Sequence, residues 1–291
     1  MSDAGAHELV RWDRDGPVLV LTIDHPPVNV LSSEVLDRIV ERLAEAERDP
    51  EVRAIVLDSA AEKTFAAGAD IRAMSTMGPD EARVHGARGQ ATTRAIERVP
   101  VPVIAAVHGV CFGGGCELAL ACDFVVASDD ARFGQPEINL GIAPGWGGTQ
   151  RLPRIIGAAR ARRWIMTGAG VTAQEAHGDG LVDQVVPRTE LRAAALRLAH
   201  ELAGKPPLAL AATKYAIQAA VDPRIDEGLA YELDLWARLF GGEEQREGMR
   251  AFLEKRAARF GGRAAWSVRS AGFPWSDEVR KEVKRPRSGR N

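Results

Sequence analysis

Up to about residue 187 the chain alternates short apolar runs with segments of helical spacing; beyond it only helical segments follow. That order constrains the fold more than any other feature. Strand–helix alternation builds a sheet covered by helices, and a terminal helical block is an appendage to it. The runs 17–23 (PVLVLTI) and 53–58 (RAIVLD) are β-branched and leucine-rich between turn residues, as buried strands are. Between them, Ser32–Arg48 places Val35, Leu36, Ile39, Val40 and Leu43 at helical spacing, with Ser32 or Ser33 as N-cap and Asp49-Pro50 as the stop. Further strands are predicted at 103–107, 123–127 and 182–186, and helices at 80–98, 114–121, 150–156, 158–166 and 172–178. The terminal block reads as helices 189–203, 206–220, 226–240 and 243–259, with Lys205-Pro206-Pro207 marking the seam. The expected organisation is an α/β core over 1–203, a helical region over 204–260 and a tail over 261–291.

The tail differs in composition. It carries eight Lys/Arg against three acids and ends KRPRSGRN, which reads as a solvated basic end. Trp266, Phe273, Pro274 and Trp275 interrupt that reading, because aromatics of this kind dock onto a body or a neighbouring subunit. Across the whole chain, 38 Lys+Arg and 40 Asp+Glu leave a net charge of −2. That balance supplies no electrostatic reason for a nucleic-acid or anionic-membrane partner. No run approaches the ~18 apolar residues of a membrane span. Cys111, Cys116 and Cys122 lack CxxC spacing and are odd in number, which argues against a disulfide framework and for a reducing compartment. The opening MSDAGAHELVRWDRDG has early acids and no apolar core, unlike an export signal. The expectation is a soluble cytoplasmic protein.

Several chemistries lack their signatures: there is no GxSxG, HExxH, paired CxxC, P-loop or strand-following GxGxxG. The six histidines are scattered, with no two at helix spacing, so no metal is expected. Carboxylates and glycine-rich backbone remain, which points to acid–base chemistry or oxyanion stabilisation. Phe65–Ile71 (FAAGADI) is built of small residues that let a ligand approach the backbone, though an ordinary tight turn has the same composition. Gly113-Gly114-Gly115 opens a helix, and helix starts expose unpaired N–H groups at the positive dipole end. Glu117, one turn in, has only apolar neighbours; it is either a costly buried carboxylate or the one position facing water. Glu137 follows Pro136 in a Gly/Pro-rich loop, where functional groups and plain solvated glutamates both occur.

Taken together, FAAGADI at 65–71, GGGCE at 113–117, QPE at 135–137 and PGWGGTQRL at 144–152 resemble the crotonase superfamily, and within it an enoyl-CoA hydratase. The resemblance runs from about residue 8 to residue 260. It implies an α/β fold, a spiral of ββα turns followed by a C-terminal helical trimerisation region, assembled as a homotrimer or a hexamer (a dimer of trimers). It makes the N–H groups of Ala69 and Gly114 an oxyanion hole for the thioester carbonyl of an acyl-CoA substrate. Glu117 and Glu137 match the paired glutamates that hold the reacting water. No cofactor is implied beyond coenzyme A as part of the substrate. Lys63 and Arg72 match basic positions at the CoA phosphates, Val28 a position near the adenine, and Phe252 and Lys255 a C-terminal helix that completes the CoA site. Ala67, Asp70 and Ile71 fall among the same substrate- and CoA-binding positions. Trp146 departs from the pattern: it stands where many hydratases carry a small residue between glycines, where it would shape or shorten the acyl pocket. The tail is a second departure. A 3,2-enoyl-CoA isomerase is the rival within the enzyme class, and isomerases tend to lose the carboxylate at the Glu117 position. Outside it stand an RNA-binding relative using the basic tail and an inactive acyl-CoA-binding one; the acidic body and the two glutamates argue against them.

Overall fold

In the computed structural model, residues 8–74, 77, 79–220, 254, 256 and 259 are described. The chain begins β1 (Val10–Asp15), β2 (Val18–Ile23), β3 (Val30–Leu31), α1 (Ser33–Arg48), β4 (Ala54–Ser59), β5 (Thr64–Ala66), β6 (Gly68–Ala69), α2 (Ile71–Met74) and α3 (Pro79–Arg98). It continues β7 (Val103–Val107), β8 (Val110–Phe112), α4 (Gly114–Ala121), β9 (Phe124–Ser128) and β10 (Arg132–Gly134). A 3-10 turn at Pro136–Leu140 leads to α5 (Gly148–Ile156), α6 (Ala158–Thr167), β11 (Val171–Thr172), α7 (Ala173–Asp179), β12 (Gln184–Val186) and α8 (Leu191–Ala203). Two compact units meet in sequence at Gly204/Lys205, and α9 (Pro207–Ala220) opens the second, burying Ala211, Ala212 and Tyr215. The predicted helices 226–240 and 243–259 and the tail lie outside the described residues, apart from 254, 256 and 259.

Within the first unit the strands sort into a large sheet, ordered β1-β2-β4-β7-β9-β12, and a small one, ordered β11-β10-β8-β5. Only β1 runs antiparallel in the large sheet; β5, β8 and β10 are parallel in the small one. Each pair β4/β5, β7/β8 and β9/β10 therefore gives one strand to each sheet before the chain returns, which is the spiral the resemblance implied. Parallel strands are covered on both faces and so read as continuous apolar runs; β2 and β7 are buried along their whole length. On one face, Val18, Val20, Val56, Ile104 and Val126 pack against Leu191, Ala194, Ala195 and Ala199 of α8. The N-cap of α1 is Ser32, whose Oγ accepts a hydrogen bond from the Val35 N–H.

The strands missed by the periodicity are β1, whose exposed Arg/Asp-rich sequence disguises it, and the two- and three-residue strands of the small sheets. Among the described residues no helix is long and apolar enough to cross a membrane.

Candidate active site

The small strands bring the glycine-rich segments together. Gly68 has φ +92° and Gly113 φ +54°, backbone that side-chain-bearing residues rarely adopt. A Cβ on Gly68 would stand 3.0 Å from the Phe112 carbonyl oxygen and 3.4 Å from the Gly114 nitrogen. Glycine at 68 thus allows β6, and with it Ala69, to lie against the start of α4. Gly114 is the first residue of that helix, so its N–H has no carbonyl one turn back within the helix and stands at the positive end of the dipole. The preceding loop is tied to the same edge. Buried Asn29 donates from Nδ2 to the carbonyl oxygens of Ile23 and Phe65 and to Ser59 Oγ, and the Ala67 N–H donates to the Val28 carbonyl at 3.2 Å.

Glu117 is not the water-facing position of its helix. All eight residues of α4 are buried, and Glu117 is 2% exposed. Its Oε1 accepts hydrogen bonds from the N–H groups of Trp146 and Gly148, both at 2.8 Å. Burial pushes its carboxyl above the ordinary range, while those two N–H donors and the nearby Arg151 pull the other way. Glu137 sits on the 3-10 turn rather than in an irregular loop, and its Oε1 lies over Gly113, 3.1 Å from where a Cβ would stand. Burial pushes the Glu137 carboxyl up to about 7; its own backbone N–H opposes this, and the charge of Glu117 adds to it. Fully buried Gln135 lies beside it, and with the amide nitrogen facing Glu137 the distances are 3.1 Å to Oε1 and 3.3 Å to Oε2. Two carboxyls raised by burial, the charge of one reaching the other, beside the N-terminal N–H groups of a helix, can move protons at a neutral substrate and hold an oxyanion.

Trp146 is buried, and its main chain is pinned at both ends. Its N–H goes to Glu117, and its carbonyl accepts from Thr93 Oγ1 at 3.1 Å and Arg151 Nη1 at 2.9 Å. Arg151 is itself held by a two-pronged pair with Glu97, at 2.6 and 2.9 Å. Gln135, Gly148, Arg151 and Glu97 were given no role on sequence, although three of them lie inside the quoted motifs. The motifs mark their presence, but the Gly148 partner Glu117 and the Arg151 partner Glu97 lie 31 and 54 residues away along the chain.

The peripheral positions scatter more. Asp70 Oδ1 accepts the Ala73 N–H and so starts α2; Ile71 is 54% exposed; Lys63 is exposed next to β5; Arg72 lies in α2. Phe252 and Lys255 lie outside the described residues. Among the described residues no group of three His, Cys, Asp or Glu is placed to hold a metal ion. Cys111 and Cys116 are buried side by side, and burial raises the Cys111 thiol.

Residues 13–263 match the sequence model of the family described as enoyl-CoA hydratase/isomerase. A short-chain-enoyl-CoA hydratase of Clostridium acetobutylicum is 43% identical over 84% of this chain and 94% of its own length. A crotonyl-CoA hydratase of Syntrophomonas wolfei is 41% identical over 88% of this chain and 98% of its own. The crystal structure of an enoyl-CoA hydratase from Bacillus anthracis superposes with a TM-score of 0.83 at 35% identity, covering 87% of this chain and 99% of that one.

Proposed function

Because this chain belongs to the enoyl-CoA hydratase/isomerase family of the crotonase superfamily, we propose that it is an enoyl-CoA hydratase, adding water across a 2-trans-enoyl-CoA to give a 3-hydroxyacyl-CoA. The observation that carries the reading is the pair Glu117 and Glu137, both present and both raised by burial beside the start of α4. In this reading the thioester oxygen sits between the N–H groups of Ala69 and Gly114. Glu117, kept ionisable by its two N–H donors, takes a proton from the bound water as oxygen attacks C3. The electron pair of the C2–C3 double bond moves toward the thioester oxygen, where the two N–H groups stabilise the enolate. Glu137, holding a proton at neutral pH, delivers it to C2. One water is consumed, its hydroxyl on C3 and one hydrogen on C2. Proton transfer from Glu117 back to Glu137 resets the pair.

In this reading Val28, Lys63, Ala67, Asp70, Ile71 and Arg72 contribute to binding the coenzyme A moiety. The helical region, 204–260, serves trimer or hexamer assembly, and the enzyme works in the cytoplasm on a free acyl-CoA, without a further cofactor. The test is loss of enoyl-thioester absorbance with crotonyl-CoA. Wild type is expected to hydrate it, and Glu117→Gln to fall by at least ~10²-fold, as for loss of a general base. A wild type that leaves crotonyl-CoA and longer 2-enoyl-CoAs untouched while shifting the double bond of a 3-enoyl-CoA would overturn hydration in favour of isomerisation.

A further inference from the structure

Resting on the hydratase reading, we propose that the Trp146 indole is the end wall of the acyl pocket and restricts the enzyme to short 2-enoyl thioesters. The indole is 4% exposed and is lodged between α3 and α4. Gly89 of α3 and Gly114 of α4 both present bare Cα atoms to it. A Cβ on Gly89 would collide with Cδ1, Cδ2 and Cε2 of the ring, and one on Gly114 with Cζ3, Cε3 and Cη2. The five-membered ring thus faces α3, while the six-membered ring lies on the residue whose N–H faces the thioester oxygen. His85, also in α3, closes the ring's surroundings at 5.6 Å between centroids, with an interplanar angle of 57°.

The wall is rigid because its backbone is rigid. The Trp146 N–H is committed to Glu117 and its carbonyl to Thr93 and Arg151, which fixes the Cα, and the ring itself is held by its packing against Gly89, Gly114 and His85. One residue therefore fixes the group that activates water at C3 and fills the space beside Gly114. Carbons beyond C3 must lie past Glu117, and there they meet an indole seated against two glycines. A side chain of this size occupies the volume of several methylenes. Glycine is a poor helix former beside alanine, and at position 89 the ring requires it. Gly89 and Trp146 are thus one size-matched device, glycine on the helix and tryptophan in the loop.

The test compares kcat/KM for crotonyl-CoA and 2-decenoyl-CoA in wild type, Trp146→Phe and Trp146→Ala, alongside the Kd of butyryl-CoA and decanoyl-CoA by calorimetry. Wild type is expected to favour the four-carbon substrate. Each methylene that gains a dry apolar site is worth about fourfold, so Trp146→Ala should move the decenoyl/crotonyl ratio up by at least about tenfold, with Trp146→Phe between. Decanoyl-CoA binding should tighten relative to butyryl-CoA in the same order. A wild type that uses both lengths equally, or a ratio unmoved in folded variants, overturns the wall. Should Trp146→Ala fail to fold, the wild-type profile and Trp146→Phe decide. Should wild type hydrate neither substrate, the hydratase reading fails by itself, and the binding ratio still decides the wall.

Discussion

Glu117 sits within a helix whose eight residues are all buried, whereas Glu137 sits on a 3-10 turn with no fully buried residue. Burial raises both carboxyls, but the surroundings then diverge. Two backbone N–H groups and Arg151 meet Glu117 and favour its charged form. At Glu137 its own backbone N–H opposes the rise, and the negative charge of Glu117 adds to the burial that carries the carboxyl up to about 7. In the proposed mechanism these environments let two identical side chains serve as base and acid, which is how one site runs both chemistries at neutral pH. Because the charge of Glu117 reaches Glu137, the two titrations are linked.

The comparison is tested most severely by removing each partner. Glu117→Gln and Glu137→Gln should each lose at least ~10²-fold in kcat/KM, and the double variant should lose little more than the worse single. Losses that multiply would mean that the two act in independent steps. A smaller effect separates the roles. If Glu137 must carry a proton, wild-type kcat/KM falls about tenfold per pH unit above roughly 7, and the residual activity of Glu137→Gln is flat there. An alkaline limb that survives in Glu137→Gln assigns that titration elsewhere.

Stability should register the same asymmetry. The folded value of Glu137 lies above the ordinary carboxylate value of 4.5, so the folded state binds more protons than the unfolded one between about 4.5 and 7. Stability contributed by this group is therefore full below 4.5 and is lost as pH rises through 7. Glu137→Gln is expected to be more stable than wild type at pH 8, by about 1–2 kcal/mol after solvent screening, with the gap closing near pH 4. Denaturant melts at the two pH values check it; a gap of the opposite sign at pH 8 would place Glu137 in a setting that favours its charge.

The large sheet was readable because its parallel strands are buried on both faces, so β2, β4 and β7 stand out as apolar runs and α1 as a helical stripe between a serine cap and a proline stop. The small sheets were not, because β5, β6 and β8 are only two or three residues each, too short to show a period, and are placed by pairing β6 with β3 and β5 with β8. The site is built on those small strands. The four motifs therefore flagged the chemistry, while the neighbour relation of Gly68, Gly113 and Gly114 had to come from the fold. Glu117 illustrates the limit most sharply. In an eight-residue apolar helix, pattern alone left it open whether the carboxylate was buried or solvated. The answer lay in two N–H donors from residues 29 and 31 positions downstream.

The finest test concerns the neighbour that tunes Glu137. Gln135 is fully buried, and only with its amide nitrogen toward Glu137 does it donate to both carboxylate oxygens. A donor stabilises the charged form, and an amide oxygen in that place would stabilise the protonated one. Gln135→Leu keeps the volume close and removes the amide. Loss of a donor should raise the Glu137 value and carry the alkaline limb of kcat/KM upward, by less than about one pH unit for a single partly compensated hydrogen bond. Activity at pH 7 should change little, because the proton Glu137 needs is held more firmly. A limb that moves downward would mean that the amide oxygen faces the carboxylate and that Gln135 helps to keep the acid protonated. The direction of a small shift thus decides which end of one buried amide meets Glu137, and whether the acid owes its proton to burial alone or to burial working against a donor.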